Sequence, residues 1–309
     1  MMQDQTKSRL PYVAAALSAV VFGFSFLFTK TALDDLDMFQ LLGSRFFVAA
    51  VFMLVLRVTK RIKVEIAAAK VRGLLLVVLF QPILYFIFET IGVDRTSASE
   101  SGVLIALIPV AVAIFAGLIL KERLSFWQWL SIWASVAGVV LISLPRFQGG
   151  TGQLAGILAL LGAVLAGALY QIFSKKASGK SSPVEVTYMM MWTGAWFFNL
   201  LGFLKAALAS ELSTYLAAFM GLDTLWAISY LGILSSVVAF FCMNYALSRL
   251  TPSKVAVFIN LTPVISVMAG VFFRSESFAP VQILGAAVVL LGVWGVGQGN
   301  GERESGHPE

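Results

Sequence analysis

The sequence predicts an all-α integral membrane protein of ten transmembrane helices, arranged as two inverted five-helix repeats with both termini cytoplasmic. Three observations predict it. Hydrophobic residues make up 59% of the 309-residue chain and charged ones 12%, with a mean hydropathy of +0.89; soluble domains are nearer one quarter charged. The chain also repeats itself. Shifted by 154 positions, Phe86–Val139 overlays Phe240–Val293 without a gap and keeps Arg95/Arg249, Ser99/Ser253, Pro109/Pro263, Glu122/Glu276, Gln128/Gln282 and Gly138/Gly292. Shared Leu or Val in apolar segments means little, but Pro, Glu, Gln and Gly in register mark a duplication. Third, with the N-terminus set inside, the inner connections collect sixteen of the 22 Lys and Arg and the outer ones five, Arg45 within a span making up the total. That is a strong positive-inside bias.

Taken in order, residues 1–10 form a short polar cytoplasmic segment. The apolar run Tyr12–Phe28 ends in Thr29-Lys30-Thr31, longer than a signal-peptide core and without a small-residue cleavage site, so it reads as an uncleaved first helix. At about 20 apolar residues per crossing, helices are expected near 11–29, 38–57, 72–93, 98–120, 125–144, 153–174, 184–208, 224–248, 253–274 and 278–298. The first repeat is then 11–144 and the second 153–298. The tail 299–309, GNGERESGHPE, is too polar and short to fold and is expected to be disordered. Five spans per repeat is an odd number, so the second copy enters the membrane inverted, the usual architecture of alternating access. The basic run Arg57–Arg72 reads as a cytoplasmic anchor, with a lipid or partner site as the lesser reading.

The single cysteine, Cys242, excludes an intramolecular disulfide, and the single histidine, His307, lies in the tail. No metal site and no cofactor is expected. The net charge of +6 follows the membrane topology rather than a nucleic-acid footprint.

Pro109 followed by Lys121-Glu122-Arg123-Leu124 and Gln128, then Pro263 followed by Glu276, Gln282, Gly285 and Gly292, resemble the drug/metabolite transporter superfamily, and within it the EamA-type proteins. The resemblance covers about residues 12–298. The chain departs from the pattern at Ser131, where the other copy has Gly285, and at Ser275, which replaces a basic residue. What the resemblance implies is two EamA-like repeats and alternating access in a prokaryotic cytoplasmic membrane, with export or exchange of amino acids or related metabolites. It names no particular substrate.

Ser125-Phe-Trp-Gln128 reads as a capping box at the start of the fifth helix, and Pro280 as a first-turn proline of the tenth. Glu122 and Glu276 precede these starts, where a carboxylate meets the positive end of the helix dipole. All four are expected to be structural caps. Pro109 and Pro263 lack an N–H and crowd the carbonyls of Ile105 and Ile259. Kinks at matching places in two repeats point to a binding cavity, and packing alone is the plainer reading.

Arg45 in the second span and Glu89 in the third are the base and the acid set deep in apolar sequence. Intramembrane charge is costly unless paired or wet, which makes the pair a functional hypothesis. It is read either as a structural salt bridge or with Glu89 facing a cavity, binding a cation or carrying a proton. Gln81 and Tyr85 share its helix at spacings of four. Further candidates for substrate contact or coupling are Tyr170, Gln171, Trp192, Asn244 and Asn260, the amides because each needs partners in a dry bundle. The aromatics are more often packing. Glycines in the sixth and tenth spans allow close helix approach, and the last signals at most a weak homodimer beside a monomer.

No G-x-x-x-x-G-K-[ST] loop supports ATP use, and no nucleophile constellation supports an enzyme. The expectation is a secondary transporter of a small polar or amphipathic metabolite, with the lipid bilayer, a small-molecule substrate and protons as coupling ion for partners. Export of cationic drugs is the alternative, and a non-transporting regulatory membrane protein the alternative of another class.

Overall fold

The computed structural model describes residues 2–65, 68–120, 125–147, 151–208, 221–259, 261–276 and 279–298, all helical or connecting turns. In chain order the helices are α1 (Met2–Leu33), α2 (Met38–Val58), α3 (Ala68–Val78), α4 (Tyr85–Arg95), α5 (Ala98–Ile105), α6 (Ile108–Leu120), α7 (Phe126–Phe147), α8 (Thr151–Ala177), α9 (Pro183–Leu208), α10 (Leu222–Ser229), α11 (Phe240–Arg249), α12 (Pro252–Ile259), α13 (Leu261–Arg274) and α14 (Pro280–Gln298). Two wider, π-helical turns, Leu79–Leu84 and Tyr230–Ala239, join α3 to α4 and α10 to α11. Among the described residues six helical stretches are long and apolar enough to cross a bilayer: Arg9–Leu33, Met38–Val58, Lys70–Arg95, Ala98–Ile119, Leu154–Ala177 and Leu222–Arg249. Shorter apolar helices accompany them, among them Leu261–Arg274. The first helix runs back to Met2 through Pro11, so the terminal polar segment is helical rather than a separate tail. The tail 299–309 lies outside the described residues.

Polar helix starts are closed locally. Asp37 Oδ1 accepts from the backbone N–H groups of Phe39 and Gln40 at 2.7 and 3.0 Å, and Gln40 Oε1 accepts from Asp37 N at 2.8 Å. Ser97 and Glu100 form the same reciprocal box at α5, and Ser182 with Glu185 at α9. Glu100 and Glu185 are therefore buried acids besides Glu89, held at helix N-termini.

The duplication is visible in contacts. Lys30 Nζ donates to the carbonyl of Val93 at 2.8 Å, and Lys175 Nζ to that of Leu247 at 3.0 Å. Val93 and Leu247 stand 154 positions apart. Each lysine also reaches a second carbonyl, Asp94 or Leu250, so each repeat uses one ammonium to close the C-terminal carbonyls of its own third span.

Glu276 corrects the capping expectation. Its carboxylate accepts from the backbone N–H groups of Ala98 at 2.9 Å and Ser99 at 3.0 Å, and from the Ser99 hydroxyl. It caps α5 of the other repeat, not the helix that follows it, because Ser275 at φ +52° turns the chain ahead of α14. A Cβ at Gly270 would collide with this same contact. Gln282 Nε2 adds a bond to Glu100. Ser125 precedes α7 as expected, whereas the Gln128 side chain and Glu122 lie outside the described residues.

The tightest helix pair is α7 with α14. A Cβ on Gly138 would stand 2.7 Å from the Gly285 carbonyl oxygen, and Gly292 lies against Ser135. Only hydrogen at those positions permits that approach. The larger apolar cores are built from α2, α9 and α11 around Phe46, Phe86, Phe198 and Phe240, and from α5, α6 and α8 around Val103, Leu104 and Leu160.

Candidate functional site

One internal cavity lies beside both prolines' helices. The α5–α6 break falls at Ala106-Leu107, just ahead of Pro109. Ile105 and Ile108 on one side and Ile259 and Thr262, next to Pro263, on the other line the cavity. The backbone freed at the α5–α6 break thus lies beside the cavity rather than against lipid. Asn260 itself lies outside the described residues.

The third span of each repeat contributes from beside its π-helical turn. Gln81 has an extended backbone (φ −150°, ψ 116°) within Leu79–Leu84, so it reaches the cavity through the break and not along the regular face that its spacing to Tyr85 and Glu89 suggests. All three line the cavity. Ser235 occupies the position 154 residues later, inside Tyr230–Ala239. Such single-turn bulges are uncommon and often mark functional sites.

The lining obeys the same shift. Phe86/Phe240, Glu89/Met243, Ile105/Ile259 and Ile108/Thr262 are cavity residues 154 positions apart. The cavity therefore sits at the pseudo-symmetry centre of the repeats. Its asymmetry is chemical, because Met243 stands where the first repeat carries the Glu89 carboxylate.

Arg45 is buried, with Nε donating to Ser236 Oγ at 2.8 Å and Nη2 to Ser235 Oγ at 2.9 Å. Its guanidinium carbon lies 4.3 Å from the Phe86 ring centroid, a cation–π contact. Glu89 is equally buried, and the hydrogen bond its carboxylate accepts from Thr90 Oγ1 is a long one, 3.4 Å. The two charges share the cavity and act on one another through space, yet no direct ion pair joins them among the described residues. Of the two readings of the pair, the salt bridge does not form here; Arg45 on α2 of one repeat reaches the hydroxyls of the other instead. Among the described residues one Arg45 nitrogen and one Glu89 oxygen have no hydrogen-bond partner.

Tyr170 and Gln171 also line the cavity, and Gln171 Oε1 is buried without a hydrogen-bond partner among the described residues. Asn244 does not. It is locked by Tyr170 and Ser174 hydroxyls at 2.9 and 2.8 Å and by Thr187 at 3.1 Å, a saturated network below the cavity. Trp192 lies elsewhere, packed on Tyr188 beside a shallow outer groove with Trp196 and Leu200. Ser235 and Ser236 were not legible as site residues; Pro82 after Gln81 was a signal for the first bulge, and nothing comparable stands at the second. Phe22, Phe26 and Phe240 complete an aromatic lining.

The cavity offers about 50 Å³. At roughly 10–15 Å³ per water on this measure it has room for a few waters, so a larger ligand requires movement of the lining side chains or helices.

A family model described as the EamA-like transporter family matches residues 9–144 and again 154–298. The uncharacterized transporter YcxC of Bacillus subtilis (strain 168) is 33% identical over 285 residues, covering 92% of this chain and 91% of that protein. A probable terminal-alkyne amino-acid exporter of Streptantibioticus cattleyicolor is 24% identical over 208 residues, covering 65% of each chain. A crystal structure with 16% identity superposes at a TM-score of 0.61, covering 90% of this chain and 98% of its own, a likeness of fold. With both repeats matched across nearly the whole chain, the protein is a multi-pass membrane protein that belongs to the EamA-like transporter family.

Proposed function

We propose that the protein is a secondary transporter that moves a small amphipathic zwitterion, an amino acid or a related metabolite, across the cytoplasmic membrane by alternating access. The observation that carries this reading is the placement of Arg45 and Glu89 in one small cavity with several aromatic walls, no direct ion pair joining them among the described residues. A carboxylate meets the free edge of the guanidinium and an ammonium meets Glu89, while Phe22, Phe26, Phe86 and Phe240 receive an apolar side chain. Opposite charges on the ligand complete what the cavity leaves open. The similarity to a probable amino-acid exporter supports the substrate class.

In this reading ten spans hold both termini in the cytoplasm, two five-helix halves rock about the cavity, and the direction is export or exchange. Glu89 carries the coupling proton. In proteoliposomes, Glu89→Gln is expected to retain exchange but to lose the response of flux to a pH gradient. Unchanged coupling overturns the carrier role.

Export of cationic drugs is the second reading, favoured by the hold of Ser235, Ser236 and Phe86 on Arg45. That hold leaves Glu89 as the charge a lone cation would meet.

A further inference from the structure

The two ends of the bundle are closed in different ways. At the end carrying the α1–α2 turn, acids and bases of the chain meet directly. Arg274 reaches Asp34 at 3.0 Å, Lys205 reaches Asp37 at 2.9 Å, and the Thr224 hydroxyl donates to Asp35. These contacts stitch one repeat to the other with carboxylates the chain supplies.

At the opposite end a cleft of about 570 Å³ opens between the repeats. Its cations come from three connections: Lys63 after α2, Lys180 after α8, and Arg249 at the end of α11. Lys70, also in the cleft, is satisfied by Glu185 at 2.8 Å. The side chains of Lys63, Lys180 and Arg249 are exposed and make no ion pair or hydrogen bond among the described residues. Glu65 is the remaining carboxylate on the rim. Ser181, Ser182 and Ser248 also line the cleft. A positive-inside bias alone asks for cations on this face; it does not ask that three from separate loops, none paired with an acid among the described residues, border one concavity.

We propose that this cleft is a phosphate-binding site, taking a phospholipid headgroup or a soluble phosphate, and that the bound oxyanion joins the two repeats as Asp34 and Asp37 do at the other end. A phosphate offers several acceptor oxygens in different directions, which suits two ammonium groups, a guanidinium and intervening hydroxyls better than a planar carboxylate does. The cleft falls in the 300–1,000 Å³ range usual for small-ligand sites. In the orientation proposed above it faces the cytoplasm and the anionic leaflet.

The test uses the full chain in three forms: unaltered, K63Q/K180Q/R249Q, and K60Q/R61Q/K176Q, which removes the same charge from the same face outside the cleft. Thermal unfolding is followed in detergent with inorganic phosphate against chloride at matched ionic strength, then in vesicles of phosphatidylcholine with and without phosphatidylglycerol. The site predicts a saturable upward shift for the unaltered and control proteins, weakened at least tenfold in apparent affinity by the cleft variant. A shift with phosphatidylglycerol alone assigns a lipid headgroup, and one with inorganic phosphate a soluble ligand. No shift in either medium, or equal loss in both triple variants, overturns the proposal.

Discussion

Arg45 donates its hydrogen bonds to hydroxyls of the opposite repeat, and this sets what substitutions do. Replacing Ser235 and Ser236 together by Ala strips both bonds from a buried cation. Bonds to charged groups contribute about 1.5–3 kcal/mol each and are not additive, so the double variant is expected to lose about 3 kcal/mol in reversible unfolding, with Ser235→Thr recovering part. Asp37 offers a pH test. Burial alone would raise its carboxyl, but the Lys205 contact and two backbone N–H groups outweigh this and hold it below its ordinary 3.8. A depressed native value means stability present above the unfolded value and lost as pH falls through the native one. Asp37→Asn should therefore unfold more readily than the parent at pH 7 and match it in strong acid; a gap that persists there contradicts this. Arg45 and Glu89 were legible because charge in an apolar run is costly. Ser235 and Ser236 were not, since a serine in a helix can satisfy itself on a preceding carbonyl. Trp192 misled because an aromatic at helical spacing reads alike whether it faces cavity or lipid.

At the scale of elements, the two lysine caps are the sharpest expression of the duplication. Lys30 and Lys175 close equivalent helix ends at opposite faces. Lys30→Met and Lys175→Met should each cost about 1 kcal/mol, within the usual range for a charge at a helix terminus, and the two costs should agree within experimental scatter. A large disparity in denaturant unfolding contradicts equivalent roles. Both lysines were visible at the ends of their apolar runs, and Pro109, just past the α5–α6 break, was visible within its own. The π-helical turn at Tyr230–Ala239 was hidden, because its sequence YLGILSSVVA fits a regular helix equally well. The partner of Glu276 was hidden for another reason. A cap formed across 177 positions depends on tertiary approach that local capping rules do not describe.

For the whole molecule, the two-repeat architecture was legible from Pro, Glu, Gln and Gly in register, and it predicts a central cavity between halves. The structure adds that the lining follows the same 154-residue shift while its charge does not, Glu89 facing Met243 across the pseudo-axis. The central claim, that Arg45 and Glu89 together hold a zwitterion, is tested most directly by thermal-shift titration of the purified protein. Neutral amino acids, quaternary amines and simple carboxylates are compared on the parent, Arg45→Gln and Glu89→Gln. A ligand at a hundred times its dissociation constant stabilises by about 2.7 kcal/mol. The account predicts a saturable shift with zwitterions that Arg45→Gln abolishes and Glu89→Gln weakens. Quaternary amines shifting the parent while zwitterions do not, or zwitterion shifts surviving in both variants, would contradict it.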